Sequence, residues 1–323
     1  MRIDPAIAAL QADPRLQRRA QAKMIGRAEA WRADPAAADA VAELDRFGTG
    51  APLEACPALE ALFTGADAAP ELAASLCRHF TAALVEEPFG HPAMRHGFDG
   101  SASTLLVARS GRAQLILHAR EPGGTTFDAV SFSDALRYEA VLAGEAQARI
   151  VRPTLGPAAS RRPFHEEALS LRAGSRLALD LGSEALQVLV TTRRLVSLRL
   201  HRFAAEPEPS REYRLADGIL LHQAAGSIRT SRQEMMLALL GRMEVAEAAP
   251  LMAGMALEEA DASLRWQALR ECLSLDTAAG FRALAALARR ADDPLAAPAG
   301  ALRAQLVEAH PQLLSLETGP CPE

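Results

Sequence analysis

Apolar and polar positions change their period twice along this chain. Up to about residue 95 the period is helical: Leu16, Ala20, Met24, Ala28 and Trp31 recur on one stripe, while Arg15, Arg18, Arg19 and Arg27 fall largely elsewhere on the wheel. Asp-Pro recurs at Asp4-Pro5, Asp13-Pro14 and Asp34-Pro35, and each pair predicts a helix start, since aspartate caps free N–H groups and proline suits the first helical position. Two further helices are predicted over 57–63 and 70–85, before Pro88, Gly90 and Pro92 break the pattern.

From about Ser101 the alternation becomes that of strands. Runs at 104–108 and 113–118 flank Ser110-Gly111-Arg112 and predict a hairpin. Further strands are predicted at 140–142, 146–151, 167–171, 176–181, 186–191, 195–201, 212–215 and 219–222. Short strands with close turns and no intervening helices predict an antiparallel sandwich or barrel. After Gly226 the helical period returns. Ser231-Arg232-Gln233-Glu234 has capping-box spacing, and later helices are predicted to start near Ser263, Asp276 and Asp293-Pro294. Helices of roughly 12 to 16 residues with short connections are expected to stack as antiparallel hairpins. The expected class is therefore α+β, with three parts: a helical region over 1–95, a β domain over 96–226 and a helical domain over 227–323.

Composition adds bounds. The chain has 323 residues, 49% hydrophobic and 23% charged, an ordinary globular balance. A net charge of -5 exerts no global pull toward nucleic acid or anionic membrane. Only Lys23 among the 35 basic residues is a lysine; with abundant alanine, this suggests the codon usage of a GC-rich bacterial genome and makes arginine content weak evidence of phosphate binding. No secretory signal or membrane span is evident, so a cytoplasmic location is expected. Cys56, Cys77, Cys272 and Cys321 form no Cys-x-x-Cys pair and are read as reduced thiols.

Tyr138-Glu139-Ala140-Val141-Leu142-Ala143-Gly144-Glu145-Ala146 resembles the end of the first cupin motif, in which a strand closes with a Val-Leu-x-Gly-Glu turn. Gly174 and Gly182, with Ala185 three residues later, resemble the glycine spacing of the second cupin motif. The resemblance spans residues 97–225. It implies a barrel that, in metal cupins, carries two histidines and a glutamate from the first motif and a histidine from the second. Here Ser131, Ser133 and Arg137 stand at the first three positions and Ala185 at the last, a set unsuited to a divalent metal. No metal and no other cofactor is expected. A shift of alignment would admit Glu139 as a carboxylate ligand, but no histidine. Ser263-Leu264-Arg265-Trp266-Gln267-Ala268-Leu269-Arg270 resembles a HEAT-type repeat helix, implying a helical surface for a protein partner.

Other chemistry is sparse. His91 and His96 lack further ligands, and His165-Glu166-Glu167 reads as solvated charge after Arg161 and Arg162. His118, His201 and His222 lie near predicted strand ends, where a barrel brings distant residues together. No Gly-x-Ser-x-Gly elbow, Gly-x-Gly-x-x-Gly turn or Walker-type loop occurs. Arg15, Arg18, Arg19, Lys23 and Arg27 form the one concentrated basic run, read as a solvated face, so a nucleic-acid partner is not expected. Arg137, pointing inward, would clamp a small anionic ligand with Ser131 and Ser133 adding hydroxyl contacts, or else form an internal salt bridge to Glu139 or Glu167. A non-catalytic binding, scaffold or sensor protein is the expected function. The rival expectation is a metal-dependent oxygenase or isomerase using other ligands in the barrel.

Overall fold

The computed structural model describes residues 13–154 and 163–317. The chain divides into two compact units, one of Met1–Pro207 with Arg211–His222, the other of Glu208–Ser210 with Gln223–Glu323.

The first unit opens with four helices: α1 (Pro14–Arg32), α2 (Ala38–Thr49), α3 (Pro57–Thr64) and α4 (Ala68–Glu86). Asp13 caps α1 by accepting the Arg15 N–H at 2.9 Å, and the Asp34 carboxylate takes the Ala36 N–H at 3.0 Å ahead of α2. Asp4-Pro5 lies outside the described residues. The apolar stripe behaves as its spacing requires: Ala20, Met24, Ala28 and Trp31 are buried and Leu16 is half-buried. The basic face of α1 is paired internally, Arg19 with Glu87 at 3.3 Å and both Lys23 and Arg27 with Glu86.

Eleven strands are described after the helices: β1 (His96–Phe98), β2 (Ala102–Ser110), β3 (Ala113–Arg120), β4 (Gly123–Gly124), β5 (Ala129–Phe132), β6 (Ala135–Pro153), β7 (Phe164–Arg172), β8 (Arg176–Asp180), β9 (Ala185–Phe203), β10 (Ser210–Arg214) and β11 (Leu220–Ala224). The predicted hairpin is present as β2–β3, with Gly111 at φ 51° in its turn. An eight-stranded sheet runs β1-β2-β3-β9-β6-β7, with β4 added to β9 and β8 to β6, and a three-stranded sheet runs β11-β10-β5. All the described pairings are antiparallel, and among them none closes the larger sheet into a barrel.

Two expectations are corrected here. The strands predicted at 140–142 and 146–151 are halves of the single 19-residue β6, and those at 186–191 and 195–201 are halves of the 19-residue β9. Gly144 does not close a strand. Its φ of 89° sits in a register irregularity where β6 crosses β9, and a Cβ there would meet the Arg194 carbonyl oxygen at 2.1 Å. The bulge lets β6 bend and change neighbours on one edge, from β8 before it to β7 after it, while β9 stays paired throughout.

Alternation along these strands gives the sheet two different faces. Leu115 of β3, Ala140 of β6, and Leu198 and Leu200 of β9 pack into one core with Trp31, Leu44, Phe47, Leu59 and Leu72 of the helices. The intervening residues face the other way.

The second unit holds α5 (Ile228–Arg242), α6 (Ala249–Leu257), α7 (Ala262–Leu275), α8 (Thr277–Ala288) and α9 (Ala296–Ala309). Ser231 is not the cap of the first of these. Ser227 has the extended backbone of an N-cap and accepts the Thr230 N–H at 3.0 Å, so Ser231 falls within the first turn. Asp261 and Asp276 cap α7 and α8. Leu269, Phe281, Leu284 and Leu287 form the centre of a core in this unit.

Candidate functional site

The face of β3, β9 and β6 turned away from the helices carries charge where a sheet face would ordinarily be apolar. Pairing across the strands sets His118 opposite Ser197, Glu139 opposite Arg199, and Arg137 opposite His201. Residues two apart on a strand share a face, so Arg137 and Glu139 of β6 stand beside Ser197, Arg199 and His201 of β9 and His118 of β3.

Glu139 is the hub and is wholly buried. Its Oε1 accepts a hydrogen bond from Ser197 Oγ at 2.6 Å and another from Arg199 Nε at 2.9 Å. Its Oε2 lies 3.2 Å from Arg137 Nη2, close enough to form an ion pair but without hydrogen-bond alignment. Burial opposes charge on this carboxyl, yet the Arg199 and Arg137 guanidiniums and the Ser197 hydrogen bond outweigh it and hold the pKa down to about 2. Burial acts the other way on the basic groups. It lowers His118 to about 3, with Arg199 adding to the effect, and His201 to about 4, with Arg137 adding to it. Arg137 falls only to about 10 through burial and remains charged at neutral pH. At pH 7 the cluster therefore holds two guanidiniums, one carboxylate and two neutral imidazoles, a net charge of +1.

Its polar atoms are not all used. Arg137 Nε and Nη2, Glu139 Oε2, His118 Nδ1 and His201 Nε2 are buried without a hydrogen-bond partner. Two of these atoms, Arg137 Nη2 and Glu139 Oε2, face each other as the ion pair, which leaves Arg137 Nε, His118 Nδ1 and His201 Nε2 as the buried polar atoms of the cluster without a described partner.

The residues singled out in the sequence are distributed unevenly. Arg137 joins this cluster through Glu139, one of the two internal partners anticipated for it. Ser131 is exposed on β5 opposite Glu212, and Ser133 follows that strand with its N–H donating to Leu181 O at 2.9 Å. No described hydrogen bond joins either serine to Arg137. Ala185 is buried among Val130, Phe132, Val151 and Tyr213. Of the three strand-end histidines, His118 and His201 meet around Glu139, while His222 is exposed on β11.

His165 is the second residue of β7. Beside it, Glu166 and Glu167 pair across to Arg149 and Arg152 at 2.7 and 2.6 Å. Arg161, Arg162 and Cys321 lie outside the described residues. His91 and His96 are exposed. Among the described residues no group of three or more His, Cys, Asp or Glu side chains is placed to hold a metal ion, and no helix is long and apolar enough to cross a membrane.

The sequence matches no protein-family model, and no curated protein matches it. Among solved structures, Momordica charantia 7S globulin is 12% identical over 38% of this chain and 35% of that chain, with a TM-score of 0.27. Pumpkin seed globulin is 16% identical over 38% of this chain and 35% of its own, at 0.28. The chain thus spans about a third of the length of the globulins it matches. A cupin superfamily protein of Desulfitobacterium hafniense is 15% identical over 33% of this chain and 83% of that chain, with a TM-score of 0.23.

Proposed function

We propose that the β domain is a cupin-like binding module without a metal, and that it holds a small anion, a carboxylate or phosphate ester, against Arg137. The carrying observation is the Arg137 side chain, 12% exposed and ion-paired to Glu139, whose Nε and Nη2 have no hydrogen-bond partner in a cluster of net charge +1. A guanidinium fork offers two parallel donors to a planar oxyanion, and a buried cation left half-satisfied gains most from such a guest. Neutral His118 and His201 supply further hydrogen bonds without changing the charge balance. A metal centre fits the same cluster poorly, because its one carboxylate is already held between two fixed positive charges.

The test is thermal unfolding and calorimetric titration of the full chain with inorganic phosphate, sulfate, succinate and citrate. At least one of these should stabilise the protein saturably, by about 2.7 kcal/mol at a hundredfold excess over Kd. Arg137→Gln should abolish that effect, and Ser131→Ala and Ser133→Ala in the same titration show whether either hydroxyl reaches the anion. Absence of stabilisation across the panel, or an undiminished effect in Arg137→Gln, would reject the proposal.

A further inference from the structure

The C-terminal unit carries a hollow that the β domain's chemistry does not involve. Trp266, Arg270 and Leu273 of α7 are spaced to share one helix face, as are Leu302 and Leu306 of α9, and with Leu313 of the turn beyond α9 they line a cavity of about 700 Å³. This lies within the range of roughly 300–1,000 Å³ typical of small-molecule sites. Its walls are predominantly apolar. Trp266, Leu273, Leu302 and Leu306 are only half-buried, so apolar surface remains open to a guest.

Thr277, His310 and Gln312 add neutral polar groups to the lining. Among the described residues no aspartate or glutamate lines the cavity, and Arg270 contributes a permanent cation with which no described carboxylate pairs. The other arginine of α7, Arg265, is by contrast buried and paired to Asp293. A cation at the edge of an apolar hollow selects a molecule with an apolar body and a single negative end.

From this geometry we infer a second binding site, for an aliphatic monocarboxylate whose chain lies against Trp266 and the leucines and whose carboxylate meets Arg270. Trp266 also gives the site its own signal, since the chain's second tryptophan, Trp31, is fully buried in the other unit.

The experiment titrates the full chain with decanoate, decanol and decylamine, each below its self-association concentration, by calorimetry and tryptophan emission. Decanoate should bind saturably and change the emission, and Trp266→Phe should remove the change in emission. Decanol and decylamine should bind at least about tenfold more weakly, as should decanoate to Arg270→Gln, since one charge-assisted hydrogen bond corresponds to about that factor. Arg270 is exposed, so its replacement leaves the fold intact. No saturable binding of decanoate, equal binding of decylamine, or wild-type affinity in Arg270→Gln would each overturn the inference.

Discussion

Arg199 donates from Nε to Glu139 Oε1 at 2.9 Å, and the same oxygen also accepts from Ser197 Oγ, so a single carboxylate oxygen ties two positions of β9 to β6. Neutralising that carboxylate leaves two guanidiniums facing each other out of water. Glu139→Gln should destabilise the protein by about 3–5 kcal/mol, the range for removing one partner of a buried ion pair. Urea unfolding measures it, and a loss below about 1 kcal/mol would mean that water reaches the cluster.

The same cluster sets an acid limit on stability. His118 and His201 are depressed to about 3 and about 4 in the fold against an ordinary value of 6.5, and Glu139 to about 2 against 4.5. All three groups bind fewer protons folded than unfolded. Their contribution is therefore complete above the unfolded values and is lost as pH falls, from about 6.5 for the histidines and about 4.5 for the glutamate. Each histidine contributes a slope of up to about 1.4 kcal/mol per pH unit. Between pH 7 and 5, unfolding free energy should drop more steeply in wild type than in a His118→Asn, His201→Gln variant; parallel profiles would contradict the burial of these rings.

Gly144 is held at φ 89° against the Arg194 carbonyl. Any side chain there meets both a disfavoured backbone region and a steric conflict with backbone. Gly144→Ala should cost about 1–3 kcal/mol or more, read as a lowered thermal midpoint, whereas Gly174→Ala, whose added Cβ meets nothing within 4 Å, bears the backbone penalty alone and should cost less.

In the C-terminal unit Arg265 Nη2 meets Asp293 Oδ2 at 2.5 Å, with both side chains almost fully buried, and Arg265 Nε donates to Ala256 O at 3.1 Å. Asp293→Asn should weaken this unit by about 3 kcal/mol. Trp266 emission during denaturant unfolding follows the unit directly, and an unchanged transition would remove the pair from its stabilising contacts.

Much of this fold is legible in the residues. Ala20, Met24, Ala28 and Trp31 announce their helix because burial on one face forces helical spacing, and Ser110-Gly111-Arg112 announces its hairpin because a turn needs a residue tolerant of positive φ. Gly144 misleads for the same reason: the positive φ that marks a turn also marks a bulge, and only the partner strand distinguishes them. The site was half-visible. Arg137-x-Glu139 and Ser197-x-Arg199-x-His201 place polar groups at every second position between Leu198, Leu200 and Ala140, the pattern of a strand buried on both faces with one face polar. What brings His118 to Glu139 and His201 is register across three strands, which no local spacing encodes.

Within β9 the order Ser197, Leu198, Arg199, Leu200 alternates a polar face with a helix-packed one, and β6 does the same through Glu139 and Ala140. The layer separating the two environments is one backbone thick. An anion bound at Arg137 as proposed would therefore press on the same strands that pack against α2 and α3, and its binding should be readable as slowed amide exchange in those helices.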